Sequence, residues 1–206
     1  MRLSAIVAAF LLLFLPLSTS SIAAAQDTDS EAEPVRYTYH ESSEMILEGS
    51  SNVGRSWDAQ ATEFGGSAEV TLGEGSLSFS NVTLEVYTGS ILSDRGSVEE
   101  KIHEALRKDS YPFIFFRVDE VDVEGPASSE FTAQATGEMI VAGGRQNITV
   151  DITGTMDGEN LRVRGEQQFH MEDDFGVERP SAMMGAIRAA AEVLVRFDMQ
   201  LTPASN

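Results

Sequence analysis

The chain has 206 residues, with 33 Asp and Glu against 14 Lys and Arg, three His, no Cys, and a formal charge of −19. That length fits one domain. The charge argues against a phosphate-binding role, which needs basic patches, and disfavours anionic membrane surfaces. The lack of Cys excludes disulfides, thiol catalysis, thioether-linked haem, thiolate zinc sites and a lipoprotein anchor, which requires a Cys after the leader.

Residues 1–25 are expected to form a secretory signal peptide. Arg2 makes the start positive, and residues 5–15 are an unbroken apolar run too short for a comfortable membrane span. Pro16 and residues 18–21 break that run, and Ala23 and Ala25 place small residues for cleavage before Gln26. Residues 26–34 (QDTDSEAEP) form an acidic tail expected to be disordered. The domain is expected over residues 35–206, with 13 basic residues left after cleavage against all 33 acids. Only two of the bases are Lys (Lys101, Lys108), and an acidic, Lys-poor surface suits a salty solvent or simply high solubility.

Beyond the tail the hydrophobic period is two, which predicts strands. Ala68, Val70 and Leu72 alternate with Glu69 and Thr71, and a turn follows at Gly73 and Gly75. Leu77 and Phe79 continue, and after Asn81 the phase shifts to Val82, Leu84 and Val86. Residues 113–118 carry apolar side chains on both faces, Phe113 and Phe115 against Ile114, Phe116 and Val118, so their direction is open. Phe131, Ala133, Ala135, Met139 and Val141 lead to a Gly143-Gly144 turn and then Ile148, Val150 and Ile152. Asp157-Gly158 signals a hairpin into Leu161, Val163, Gly165, Phe169 and Met171. The last strand is Val193, Val195, Phe197, Met199 and Leu201. About eight strands with short turns predict an all-β sandwich or closed antiparallel barrel.

Two helices are expected to interrupt the strands. Residues 97–108 open with Ser97 and Glu100 at capping-box spacing and gather Val98, Ile102, Ala105 and Leu106 on one face. A second short helix, or a turn leading into a helix, is expected over residues 181–191.

The chain shows no phosphate loop and no nucleophile elbow. His40, His103 and His170 lack metal-ligand spacing and read as surface or rim residues. Residues 120–125 resemble half a calcium loop, but Val121 and Val123 alternate with the acids as in a strand. Glu172, Asp173 and Asp174 read as a solvated loop. The lone Trp57 suits either a core position or stacking on a ligand at a barrel end.

Several ordered segments carry a family resemblance. Ser51-Asn52-Val53-Gly54-Arg55-Ser56-Trp57 resembles an early S-x-V-H-x-W motif, with Gly54 in place of the His. Residues 101–112 resemble a short helix running into a Tyr-Pro strand, here Tyr111-Pro112. Gly137-Glu138-Met139-Ile140-Val141-Ala142-Gly143 followed by Ile148-Thr149-Val150 matches a G-x-M-x-V-x-G hairpin. Met171, Asp174-Phe175-Gly176-Val177, Pro180, Ala182-Met183 and Gly185 resemble a late M-x-D-F-G-V/I-x-x-P-x-A-M-x-G segment. Over residues 43–202 the chain resembles the YceI-like family of exported bacterial polyisoprenoid-binding proteins.

The resemblance implies a lipocalin-like extended antiparallel β-barrel, located in the periplasm, with an apolar tunnel for a polyprenyl chain or quinone. The role implied is non-enzymatic, with no cofactor or metal, no nucleic acid, no stable membrane insertion, and a monomeric or homodimeric state. From the alternation, candidate ligand-binding residues are Val70, Leu72, Phe79, Phe113, Phe115, Phe131, Met139, Phe169, Met171, Val195, Phe197 and Met199. Met183 and Met184 are expected to shape the mouth. Inward residues of this kind form either a tunnel wall or a packed core. The competing roles are a carrier of fatty acids or amphipathic amides, with Arg55 or Arg179 reaching a carboxylate, and a ligand-free stress-response protein.

Overall fold

The computed structural model describes residues 33–73, 76–123 and 130–204. The expected signal peptide and most of the acidic tail lie outside the described residues. In chain order the strands are β1 (Val35–Tyr39), β2 (Glu44–Ser51), β3 (Ser56–Ala61), β4 (Phe64–Leu72), β5 (Leu77–Tyr87) and β6 (Ile91–Leu92). Helix α1 (Gly96–Ala105) precedes β7 (Phe113–Val123), β8 (Phe131–Val141), β9 (Gly144–Asp157) and β10 (Asn160–His170). Helix α2 (Met171–Phe175), β11 (Ser181–Ala182) and β12 (Ile187–Pro203) complete the chain.

The strands close on themselves in the order β1-β4-β5-β7-β8-β9-β10-β12, with β12 returning to pair β1, all antiparallel. β12 is long enough to serve two partners. Its end pairs β1 (Tyr37 opposite Pro203) and its first two-thirds pair β2 (Met45 opposite Phe197). β1 and β2 are thus two lengths of one barrel stave, broken at residues 40–43. β3 and β4 form the next stave, broken at residues 62–63. Closure leaves few free sheet edges of the kind that invite aggregation, the short β6 among them.

The phase shift after Asn81 is a backbone event. Asn81 adopts φ of +50°, and the pairing of β4 with β5 slips by one residue beside it. In β7 the inward set also jumps, from Val118 to Val121, and Asn81 falls opposite Asp119 in a register otherwise unbroken. Each strand therefore holds one extra residue, and both bend together.

The end of the barrel holding the β5–β7 bend is filled. Val70, Leu77, Phe79, Val121, Phe131 and Leu161 are each at most 5% exposed, and the Phe79 and Phe131 rings meet at 5.9 Å. Phe131 also lies against Gly154, where a Cβ would come within 2.1 Å of its ring.

Helix α1 turns Ile102 and Leu106 inward, but it starts at Gly96 behind Arg95, which makes no side-chain cap. The Ser97–Glu100 capping box does not form, because Ser97 already lies inside the first turn. His103 is buried, not a rim residue: its Nε2 lies 2.9 Å from the Ile91 carbonyl and Lys108 Nζ is 3.3 Å from its Nδ1. The helix lies across β6, so a residue off the apolar face still meets protein.

Two expectations about local structure are corrected. Residues 171–175 are helical, neither strand nor loop. His170 Nδ1 accepts from Asp173 N–H, Asp174 accepts from His170 N–H, and the three acids sit in the first turn where the helix dipole favours them. Gly176, at φ of +66°, ends the helix. Residues 181–191 are not helical. They form β11, a tight turn at Met183–Gly185 and the start of β12. Ala189 pairs Ser51 across the sheet, and that pairing outweighs the helix propensity of an Ala-rich run.

Candidate functional site

Above the filled end, the inward side chains of the barrel enclose an apolar cavity of about 180 Å³. A second chamber of about 450 Å³ adjoins it, and Leu47, Ile114, Met139, Phe169 and Val195 line both. These five form the apolar neck where the two spaces meet.

The inner cavity carries no acid, base or hydroxyl nucleophile other than the Tyr39 phenol. Tyr39 Oη donates to the Thr83 carbonyl at 3.3 Å, and burial pushes its ionisation well above the ordinary phenol value. The single amide is Gln167, whose Nε2 donates to the Gln168 carbonyl at 3.1 Å. Among the described residues no donor reaches its Oε1, which leaves one acceptor in an otherwise oily wall.

The barrel parts beside the outer chamber. β9 and β10 pair only as far as Ile152 opposite Gly165, and beyond that point they separate. Met171 and Phe175 of α2 and Val98, Ile102, Ala105 and Leu106 of α1 roof the space. Helix α2 can approach because residue 144 is glycine: a Cβ there would fall 2.2 Å from the Phe175 carbonyl oxygen. Trp57, half-buried, lines the same chamber and lies flat on Gly49, with only 2.2 Å to where a Cβ would stand.

The mouth inverts the charge balance of the chain. Arg55, Arg95, Lys101 and Arg179 line it against Glu100 and Glu178. Lys101 pairs with Glu104 at 2.5 Å, and Arg95 donates to the Ser56 carbonyl at 2.6 Å. Arg179 Nε is 2.6 Å from Glu172 but without the alignment of a hydrogen bond. Arg55 has no ion pair among the described residues.

The residues expected to line a tunnel divide into three sets. Met139, Phe169 and Val195 form the neck, Phe79, Phe197 and Met199 line the inner cavity, and Met171 lines the chamber. Val70 and Phe131 are buried in the filled end and line neither space. The remaining five are corrected. Leu72 ends its strand and is 38% exposed. Phe113 and Phe115 point outward, because Ile114 and Phe116 take the inner face. Tyr87, Phe113 and Phe115 stack in series at 5.7 and 6.0 Å, with Arg117 over the Phe115 ring. Met183 and Met184 are 72% and 107% exposed and line nothing. Gln167 was legible: it continues the inward series Leu161, Val163, Gly165 to Phe169. The helical roof was not, because its contacts span the whole chain.

A broader groove of about 1400 Å³ crosses the outside of β8, β9, β10 and β12. Its rim is charged. Asp198 binds Arg162 at 2.6 and 2.5 Å and Arg164 at 3.1 Å, and these guanidiniums hold its carboxyl below the usual range. An apolar ligand gains nothing there. Among the described residues no three metal-ligating side chains come together, and no helix is long and apolar enough to cross a membrane.

A closed antiparallel barrel with an oily interior and a helix-roofed mouth is a lipocalin-like architecture. The chain belongs to the YceI-like domain family, whose model matches residues 38–201. Its fold is similar to a polyisoprenoid-binding domain from Saccharophagus degradans implicated in plant cell wall breakdown. The identity there is 10%, with a TM-score of 0.58, covering 82% of this chain and 99% of the other. Burkholderia cenocepacia BcnA is similar at 15% identity and a TM-score of 0.54, covering 77% and 95%. The Campylobacter jejuni YceI protein is similar at 11% identity and a TM-score of 0.55, covering 71% and 85%. No curated protein matches the chain.

Proposed function

We propose that the protein is an exported, non-enzymatic carrier of an isoprenoid lipid, either a polyprenyl chain or an isoprenoid quinone, working in the periplasm. The observation that carries this reading is a pair of adjoining spaces, an oily inner cavity and a helix-roofed chamber, that share five apolar lining residues. The likeness in fold to the polyisoprenoid-binding domain of Saccharophagus degradans supports it. The leader-like residues 1–25 support export.

Binding would work by burial. Each ~100 Å² of chain removed from water contributes about 2.5 kcal/mol. Met139, Met171 and Met199 can reshape around a branched chain, since an unbranched thioether has three free torsions. The absence of a nucleophile–base pair on the inner wall fits holding over turning over. A second reading, a chain ending in a carboxylate, is favoured by Arg55 and Arg179 at the mouth.

Native mass spectrometry of the mature protein, followed by solvent extraction, tests both. An isoprenoid or quinone at about one per chain is the expected result. A fatty acid would select the second reading. A bare mass, unchanged after incubation with polyprenyl lipids and fatty acids, would overturn the carrier function altogether.

A further inference from the structure

We propose that the rim of the outer chamber is a docking edge for a neutral lipid bilayer, with Val53, Met183 and Met184 entering the head-group layer. The purpose of such an edge rests on the lipid-carrier reading; the surface itself does not.

Two loop tips overhang the mouth. One joins β2 to β3 and carries Val53, which is 51% exposed. The other joins β11 to β12 and carries Met183 and Met184, the two most exposed large apolar side chains among the described residues. Asn52 binds the tips into one edge: its N–H donates to the Arg188 carbonyl at 2.9 Å, and its Nδ2 to the Ala186 carbonyl at 3.3 Å. Its Oδ1 accepts from Arg188 N–H at 2.9 Å. Met183 and Met184 both hold positive φ, near +53° and +54°, a conformation an L-residue adopts at a cost. The strain displays two side chains that pack on nothing. Their sequence neighbours Ala182 and Ile187 line the chamber, so the display stands at its doorway.

Charge selects the kind of surface. Arg55 and Arg188 flank the apolar tips without an ion pair among the described residues and can meet lipid phosphates. The chain as a whole, at −19, is repelled by an anionic membrane. A zwitterionic bilayer satisfies the local cations without that repulsion. Three shallow side chains give reversible contact, which suits a carrier that must leave again.

The test is flotation of the mature protein with phosphatidylcholine vesicles, comparing wild type, the double variant M183S/M184S and the control L72S. Leu72 is exposed but far from the mouth. The double variant is expected to float about tenfold less, with unchanged melting temperature, and L72S like wild type. Transfer of a dansyl-labelled farnesyl lipid from vesicles should slow in parallel, while uptake of the same probe from dilute solution stays as in wild type. Equal flotation of wild type and the double variant would overturn the proposal. So would stronger flotation on phosphatidylglycerol vesicles at low salt, or a wild-type dimer that becomes a monomer in the double variant, which would mean a second copy covers the tips. Loss of probe uptake from solution by wild type, with flotation intact, would instead sink the carrier reading and leave the docking edge standing.

Discussion

The two ends of the barrel use the same materials differently. At the filled end β7 and β8 pair only as far as Arg117 opposite Glu138, and Phe79, Phe131, Leu77 and Leu161 fill the interior at 1–5% exposure. At the open end β9 and β10 part, and two helices replace strand pairing as the wall. Apolar side chains crowd both ends. Pairing lapses at each end, so what separates core from cavity is whether large side chains meet across the interior, as the Phe79 and Phe131 rings do at 5.9 Å, or a helical roof stands over it.

Substitutions should divide along that line. Phe131→Ala removes a ring packed on Phe79 and Gly154 and is expected to cost about 3–5 kcal/mol of stability by chemical denaturation. Met171→Ala, facing the chamber, should cost about 1 kcal/mol or less. Equal losses would mean the chamber is packed like a core. Val195→Phe narrows the neck between the two spaces. It should reduce retention of the extracted lipid about tenfold or more while changing stability by no more than about 1–3 kcal/mol.

Gln167→Leu sharpens the comparison within the inner cavity. A ligand whose carbonyl or hydroxyl hydrogen-bonds the Gln167 amide should lose about tenfold in affinity, and a plain polyprenyl hydrocarbon should bind slightly better. The smallest effect lies outside both ends. Hydrogen bonds from Arg162, and the charges of Arg162 and Arg164, hold the Asp198 carboxyl below its ordinary value. Its contribution is therefore present above the unfolded carboxylate value, about 3.9, and is lost as pH falls through the lower folded value. Asp198→Asn should flatten the acid limb of the stability curve slightly and leave lipid retention unchanged.

Much of this barrel was legible in the sequence because a period of two is a local property. The alternation from Leu161 to Phe169, the jog at Asn81 and the hairpins at Gly143-Gly144 and Asp157-Gly158 all match strands in the structure. Phe113 to Val118 was ambiguous, since both faces are apolar and only the outer stack of Tyr87, Phe113 and Phe115 explains why. Residues 181–191 misled, because an Ala-rich run says nothing about the strand waiting beside it. Leu72 misled for a simpler reason: alternation continues to the end of a strand whether or not anything remains to cover it. The division between wall and filling could not be read at all, because it is set by contacts between residues far apart in the chain, such as Phe79 on Phe131 and the helical roof over the chamber.

The paired bend of β5 and β7 makes those strands a matched set with respect to insertion and deletion. Removing Asn81 alone would turn Val82, Leu84 and Val86 from the interior to the solvent, or turn Leu77 and Phe79 out in their place. Removing Asn81 and Asp119 together would straighten both strands and keep every inward residue inward. A lineage could therefore lose or gain this bend only by changing both strands, and the spacing of either one constrains the length of the other.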